Sequence, residues 1–126
     1  MAAYMINLVR DVTDREALER YWSAVGKTYS ATGKALVAYT PFEMLEGADV
    51  PVWGVVLIEF ESMEQARAWY FGPEYQEVKK LREGAQDNIA LFAEAGFVPA
   101  AERQPPAGFV SPAQPTTSAP SATSAP

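Results

Sequence analysis

The chain has 126 residues, no cysteine, no histidine and a formal net charge of −6, and its length allows one folded domain. Without cysteine there are no disulfides, no thiolate metal sites and no cysteine nucleophile; without histidine there is no Ser-His or Cys-His dyad, no histidine-bound haem and none of the commonest metal ligand. The Lys and Arg residues are scattered through an acidic chain, so no nucleic-acid surface is expected, and neither is a metal or other cofactor.

The first segment, Tyr4 to Val9, alternates Tyr4, Ile6 and Leu8 with Met5, Asn7 and Val9, the pattern of a strand with two different faces. The residues before it carry no basic run followed by a long apolar one, so no signal peptide is expected. No apolar stretch approaches a membrane span. A cytoplasmic protein without membrane partners follows as the expectation.

Thr13 and Glu16 have the spacing of a capping box, and the periodicity predicts a helix from there to about Ala31. Leu18, Trp22, Val25 and Tyr29 make its apolar stripe. Gly26 lowers helix propensity and suggests close packing, and Gly33 is expected to end the segment. Ala35 to Glu46 reads as a long strand interrupted at Pro41, which places it at a sheet edge or bulge. Gly47 to Pro51 has turn chemistry. Val52 to Phe60 is apolar on both faces and reads as a central strand.

Ser62 and Gln65 form a second capping box. The helix they start reaches Phe71, breaks at Gly72-Pro73 and restarts with Pro73 in its first turn. Tyr75, Val78, Leu81, Arg82 and Ala85 share one face of the second piece. A last strand runs near Ile89 to Ala93. From Pro99 to Pro126 the chain is mainly Pro, Ala, Ser, Thr and Gln, with seven of the ten prolines. That composition predicts a disordered or extended tail outside a 1–98 domain. Gly108-Phe109-Val110 is its one apolar cluster and a candidate docking element.

The order βαββαβ is that of a ferredoxin-like α+β fold with an antiparallel sheet. Helices cover one face of such a sheet. The other would expose too much apolar surface for a monomer, which predicts a homodimer packed sheet on sheet.

Several segments also carry a family resemblance. They are Glu59-Phe60 at the end of the central strand, Ser62-Met63-Glu64-Gln65-Ala66, Ala68-Trp69-Tyr70, Pro73-Glu74-Tyr75-Gln76 and Leu81-Arg82. Together they resemble the DUF1330 family of dimeric α/β-barrel proteins, over about Ala3 to Glu94. The resemblance implies the same dimeric barrel. Tyr39-Thr40 stands where members tend to have a Gly-Gly pair, and Ala31 where they often have a histidine.

Arg82 shares a face with apolar residues and must be neutralised. Either it forms an ion pair with Glu59 or Asp87, or it clamps a carboxylate, phenolate or enolate. Glu59 is either a base with a raised pKa in a pocket or a residue at a strand end. Tyr39, Glu59 and Arg82 are the candidate catalytic residues, with Tyr29, Trp69 and Tyr75 as substrate-binding candidates. A pocket is expected between the helices and the concave sheet, walled by Tyr39, Trp69, Tyr75 and Arg82. No phosphate loop, dinucleotide fingerprint, Gly-x-Ser-x-Gly elbow or EF-hand pattern is present.

Two functions fit. One is a cofactor-free enzyme acting on a small aromatic or polyketide-like molecule, as cyclase, isomerase or monooxygenase, by analogy with other dimeric α/β barrels. The other is a non-catalytic dimer that binds a small aromatic or anionic ligand or another protein.

Overall fold

The computed structural model describes residues 1–113, in two units, Met1–Gly96 and the segment from Phe97 onward. The first unit contains β1 (Ala3–Val12), α1 (Arg15–Tyr29), β2 (Gly33–Ala38), β3 (Gly54–Phe60), α2 (Met63–Phe71), α3 (Pro73–Lys79) and β4 (Gln86–Glu94). Its four strands form one antiparallel sheet in the order β2-β3-β1-β4. This is the ferredoxin-like α+β arrangement.

Pairing fixes the faces. Met5 lies opposite Ile58 and Phe92, and Asn7 opposite Val56 and Ala90, so these residues share one face. On it, Ala3, Met5, Ile58 and Phe60 pack with Ala66, Trp69 and Tyr75 of α2 and α3. Fully burying a ring such as Phe60 is worth about 1.5–3 kcal/mol. The other face carries Tyr4, Ile6, Leu8, Val55, Leu57, Ile89 and Leu91. Among these, Ile89 and Leu91 remain 47% and 48% exposed, so no helix covers this side.

The helices begin and end for local reasons. The α1 cap is Asp14, not Thr13: the Asp14 carboxylate accepts from the Ala17 amide, while the Thr13 hydroxyl donates to the Gly84 carbonyl. The helix stops at Tyr29 with Ser30 as its cap, and Gly33 opens β2 instead of ending the helix. At α2, the Ser62 hydroxyl accepts from the Gln65 amide, but the Gln65 carbonyl oxygen has no partner, so half the capping box forms. Gly72 separates α2 from α3. A Cβ there would come within 2.6 Å of the Ala68 carbonyl oxygen.

The long second strand expected from the sequence is shorter. Strand β2 ends at Ala38, carries a bulge between Ala35 and Val37 and lies at the sheet edge. Pro41 falls in the loop that follows. Strand β3 is central, as its apolar faces require.

In the second unit, Ala100–Glu102 make one 3-10 turn. There Arg103 Nε donates to the Val98 carbonyl (2.9 Å), and its guanidinium lies 5.3 Å from the centre of the Phe97 ring. Positions 114–126, the rest of the Pro/Ala/Ser/Thr-rich segment read as a disordered tail, lie outside the described residues. Among the described residues no helix is long and apolar enough to cross a membrane.

Candidate functional site

A cavity of about 200 Å³ lies between α1 and the concave face of the sheet. Strands β1 and β3 supply Met5, Asn7, Val56 and Ile58, and α1 supplies Tyr21, Trp22, Val25, Gly26 and Tyr29. Ala38, Tyr39 and Trp69 complete the wall. The α1 residues reach it because they recur every three or four positions on one helix face. Gly26 belongs to this wall. A Cβ there would meet nothing within 4 Å, so it borders open space and not a close packing contact.

Trp69 is a partition. It lines this cavity and also a cleft of about 300 Å³ behind it, with Thr28, Gln65, Gly72, Pro73 and Tyr75. Its indole N–H donates to the Thr28 hydroxyl (2.8 Å), and its ring stands edge-on to Tyr29 and packs against Tyr75. Tyr39 and Trp69 are therefore on the cavity wall, whereas Tyr75 and Arg82 lie outside it and connect to it through Tyr21.

That connection is a chain of hydrogen bonds. Arg82 Nε and one terminal guanidinium nitrogen each donate to the Tyr75 hydroxyl oxygen at 3.3 Å. The Tyr75 and Tyr21 hydroxyls are 2.8 Å apart. A hydroxyl has one proton and two acceptor positions. Either hydroxyl can donate to the other. Tyr21 is a side chain of the cavity wall, so when Tyr75 is the donor the Tyr21 proton is available to an occupant. The guanidinium also lies 5.6 Å from the Tyr21 ring centre.

Arg82 makes neither of the ion pairs the sequence suggested. Asp87 faces Arg10 at 3.7 Å, and no carboxylate lies within 4.0 Å of Arg82 among the described residues. Burial works to lower the Arg82 pKa, but the Tyr75 and Tyr21 hydroxyls outweigh it, so the value is raised and the group stays a cation. Burial, reinforced by Tyr75, raises the Tyr21 pKa far above its ordinary value against the pull of Arg82. Burial also raises Tyr39, opposed by the Trp22 hydrogen bond and by Arg82. Both are neutral donors at neutral pH.

Two more donors face the cavity. The Tyr39 hydroxyl accepts from the Trp22 indole N–H (3.1 Å), which leaves its own proton free. Asn7 accepts from the Asn88 amide (2.9 Å), which leaves the Asn7 amino group free. No Asp or Glu lines the cavity. The site is thus a ring-walled space with several hydrogen-bond donors and a half-buried cation linked to its wall through the Tyr75 hydroxyl.

Glu59 does not join this group. It lies on the open sheet face, opposite Tyr4 and Lys34, and accepts from the Tyr4 hydroxyl at 3.3 Å. It borders a separate open groove of about 500 Å³ with Thr32, Lys34 and Glu61. Sequence reasoning missed Tyr21 and Asn7 as site residues. A signal existed for both: Tyr21 stands three residues after buried Leu18, on the same stripe, and Asn7 is a polar residue on the buried side of a strand.

A small antiparallel sheet with helices on its concave face and a cavity beneath them is a ferredoxin-like arrangement. The family model "Domain of unknown function (DUF1330)" matches residues 2–95, and the chain belongs to that family. Its fold is similar to a protein of unknown function, RPA0582 from Rhodopseudomonas palustris, at 22% identity and a TM-score of 0.62, covering 77% of this chain and 84% of that one. A dimeric ferredoxin-like protein of unknown function from Jannaschia sp. CCS1 is similar at 10% identity and 0.57, covering 75% and 100%. SnoaB, a cofactor-independent oxygenase from Streptomyces nogalater, is similar at 10% identity and 0.50, covering 77% and 95%. No curated protein matches the chain.

Proposed function

We propose that the protein is a homodimer whose subunits each bind one small aromatic or polyketide-like molecule through an ionisable or enolisable oxygen. It acts on that molecule as a cofactor-free enzyme of the cyclase, isomerase or monooxygenase type. The observation that carries this reading is the hydrogen-bonded chain from Arg82 through Tyr75 to Tyr21, which ends in a hydroxyl on the cavity wall. A hydroxyl donor there, backed by a half-buried cation, stabilises an oxyanion more strongly than it stabilises the neutral carbonyl or phenol. Cyclisation, isomerisation and cofactor-free oxygenation all pass through an enolate or phenolate. In each, the protein's part is to favour that anion. Tyr39 and Asn7 supply further donors, and Tyr29 and Trp69 offer apolar wall against which the ring packs.

The dimer reading is supported by the bare apolar face and by the dimeric relatives of similar fold. The oxygenase among those relatives supports the enzyme reading at the level of fold alone.

Calorimetry with a panel of phenols, 1,3-diketones and aromatic acids tests binding. Arg82→Met is expected to weaken the best ligand by about 1.5–3 kcal/mol, the range for a hydrogen bond to a charged group. If Arg82→Met unfolds the protein and no panel member binds the parent, Arg82 is structural and the reading fails. A second reading, non-catalytic binding of the same ligands, is favoured by one observation: no carboxylate lines the cavity to remove a proton. Oxygen uptake and product analysis separate the two. A bound ligand recovered unchanged selects the binder.

A further inference from the structure

We infer that Tyr39 is the specificity-determining residue of this cavity and sets an upper size limit on its occupant. The inference rests on the reading that the cavity is the ligand site. Tyr39 is the one non-glycine with positive φ among the described residues, at 57°. That conformation is unfavourable for a residue with a Cβ and persists only where the surroundings hold it.

The surroundings do hold it. The Tyr39 amide donates to the Val55 carbonyl at 2.9 Å, so the backbone stays tied to β3 after β2 has ended. The Trp22 indole N–H donates to the hydroxyl, and Trp22 and Trp53 meet the ring edge-on, with centres 5.2 and 5.8 Å away. Gly54 lies directly under the ring. A Cβ there would clash with the Tyr39 ring. The left-handed turn and the bare glycine together lay the ring across the end of the cavity, and an extended Tyr39 would not place it there.

The cavity is small because of this. At about 200 Å³ it lies below the usual range for small-molecule sites, which begins at roughly 300 Å³. Removing the Tyr39 ring brings it toward that range and relieves the backbone strain in the same step.

The test uses the full chain with four probes: toluene, naphthalene, phenol and 2-naphthol. The two hydrocarbons report size without any oxygen, and the two hydroxyarenes report the donors as well. The parent is expected to prefer the one-ring probe of each pair. In Tyr39→Gly the two-ring probes are expected to gain about tenfold or more over their one-ring partners. Tyr39→Phe keeps the ring and the parent's order. Gly54→Ala displaces the ring and shifts the order as Tyr39→Gly does, which keeps the inference testable if the larger deletion does not fold. An unchanged order in both Tyr39→Gly and Gly54→Ala overturns it, as does failure of every folded protein to bind a hydrocarbon. If the size order shifts but phenol binds the parent no better than toluene, the oxyanion reading falls and the role of Tyr39 stands.

Discussion

At Tyr21 a single proton is steered by two neighbours, and this has a measurable consequence in alkali. The Tyr21 pKa is raised by burial and by Tyr75 above its ordinary value of 10.0. An unfolded chain releases that proton near pH 10 while the folded chain retains it. The unfolded state therefore binds fewer protons above pH 10, and stability is lost as pH rises from there; below about pH 9 the contribution is fully present. Thermal melts at stepped pH values between about 8 and 11 should show a falling Tm in the parent and a flatter curve in Tyr21→Phe. Equal slopes would mean that the hydroxyl is not held as the geometry implies. The same variant should lose about 1.5–3 kcal/mol of affinity for a phenolate ligand. Tyr21 was not singled out in the sequence, either on the α1 stripe or as a donor. Its role depends on Arg82 and Tyr75, which lie more than fifty positions away in the chain. Glu59 illustrates the reverse: strand parity groups it with Val55 and Leu57, but both faces of β3 are apolar, so sequence alone cannot say which one lies under the helices.

The helical elements differ in what their glycines hold. Gly72 sits where the end of α2 folds over itself, and a methyl group would meet the Ala68 carbonyl oxygen. Gly72→Ala should therefore cost about 1–3 kcal/mol, read from denaturant unfolding. Gly26, in mid-helix, borders only the cavity, so Gly26→Ala should stabilise the protein by about 0.5–1 kcal/mol. A loss at Gly26 would show that its surroundings are tighter than described. Elements whose signal is local were legible: the Gly72-Pro73 break, the Ser62 cap and the central strand. The end of β2 was not. Ala38 to Glu46 keeps a strand-like composition, and the chain leaves the sheet because Tyr39 turns left-handed over Gly54, a contact between residues fifteen apart.

For the whole molecule, the unpartnered sheet face is the largest unresolved demand on stability in water. Tyr4, Ile6, Leu8, Val55, Leu57, Ile89 and Leu91 lie on it together. In the proposed dimer a second copy of the same face would cover them at a sheet spacing of about 10 Å and leave both cavities beneath their own helices. Light scattering should give a dimer mass at micromolar concentration. Leu91→Glu should shift it to monomer, because a carboxylate on that face would be desolvated without a partner. A monomeric parent would remove the dimer and the barrel with it. The fold class was legible because its evidence is the order of elements and the apolar balance of whole faces, and neither depends on any single contact.

The cavity wall has one further property. It is an acid–base spectator: no Asp, Glu or His lines it, and Tyr21 and Tyr39 are pushed further from neutrality. Any bend in ligand affinity between about pH 5 and 9 then belongs to the ligand and not to the protein. A flat profile marks a neutral ketone, and an acidic enol or phenol bends the curve at its own pKa. A pH titration of binding therefore identifies the chemical class of an unknown occupant before its structure is known. A bend at one fixed pH for chemically different ligands would show that the protein itself titrates there.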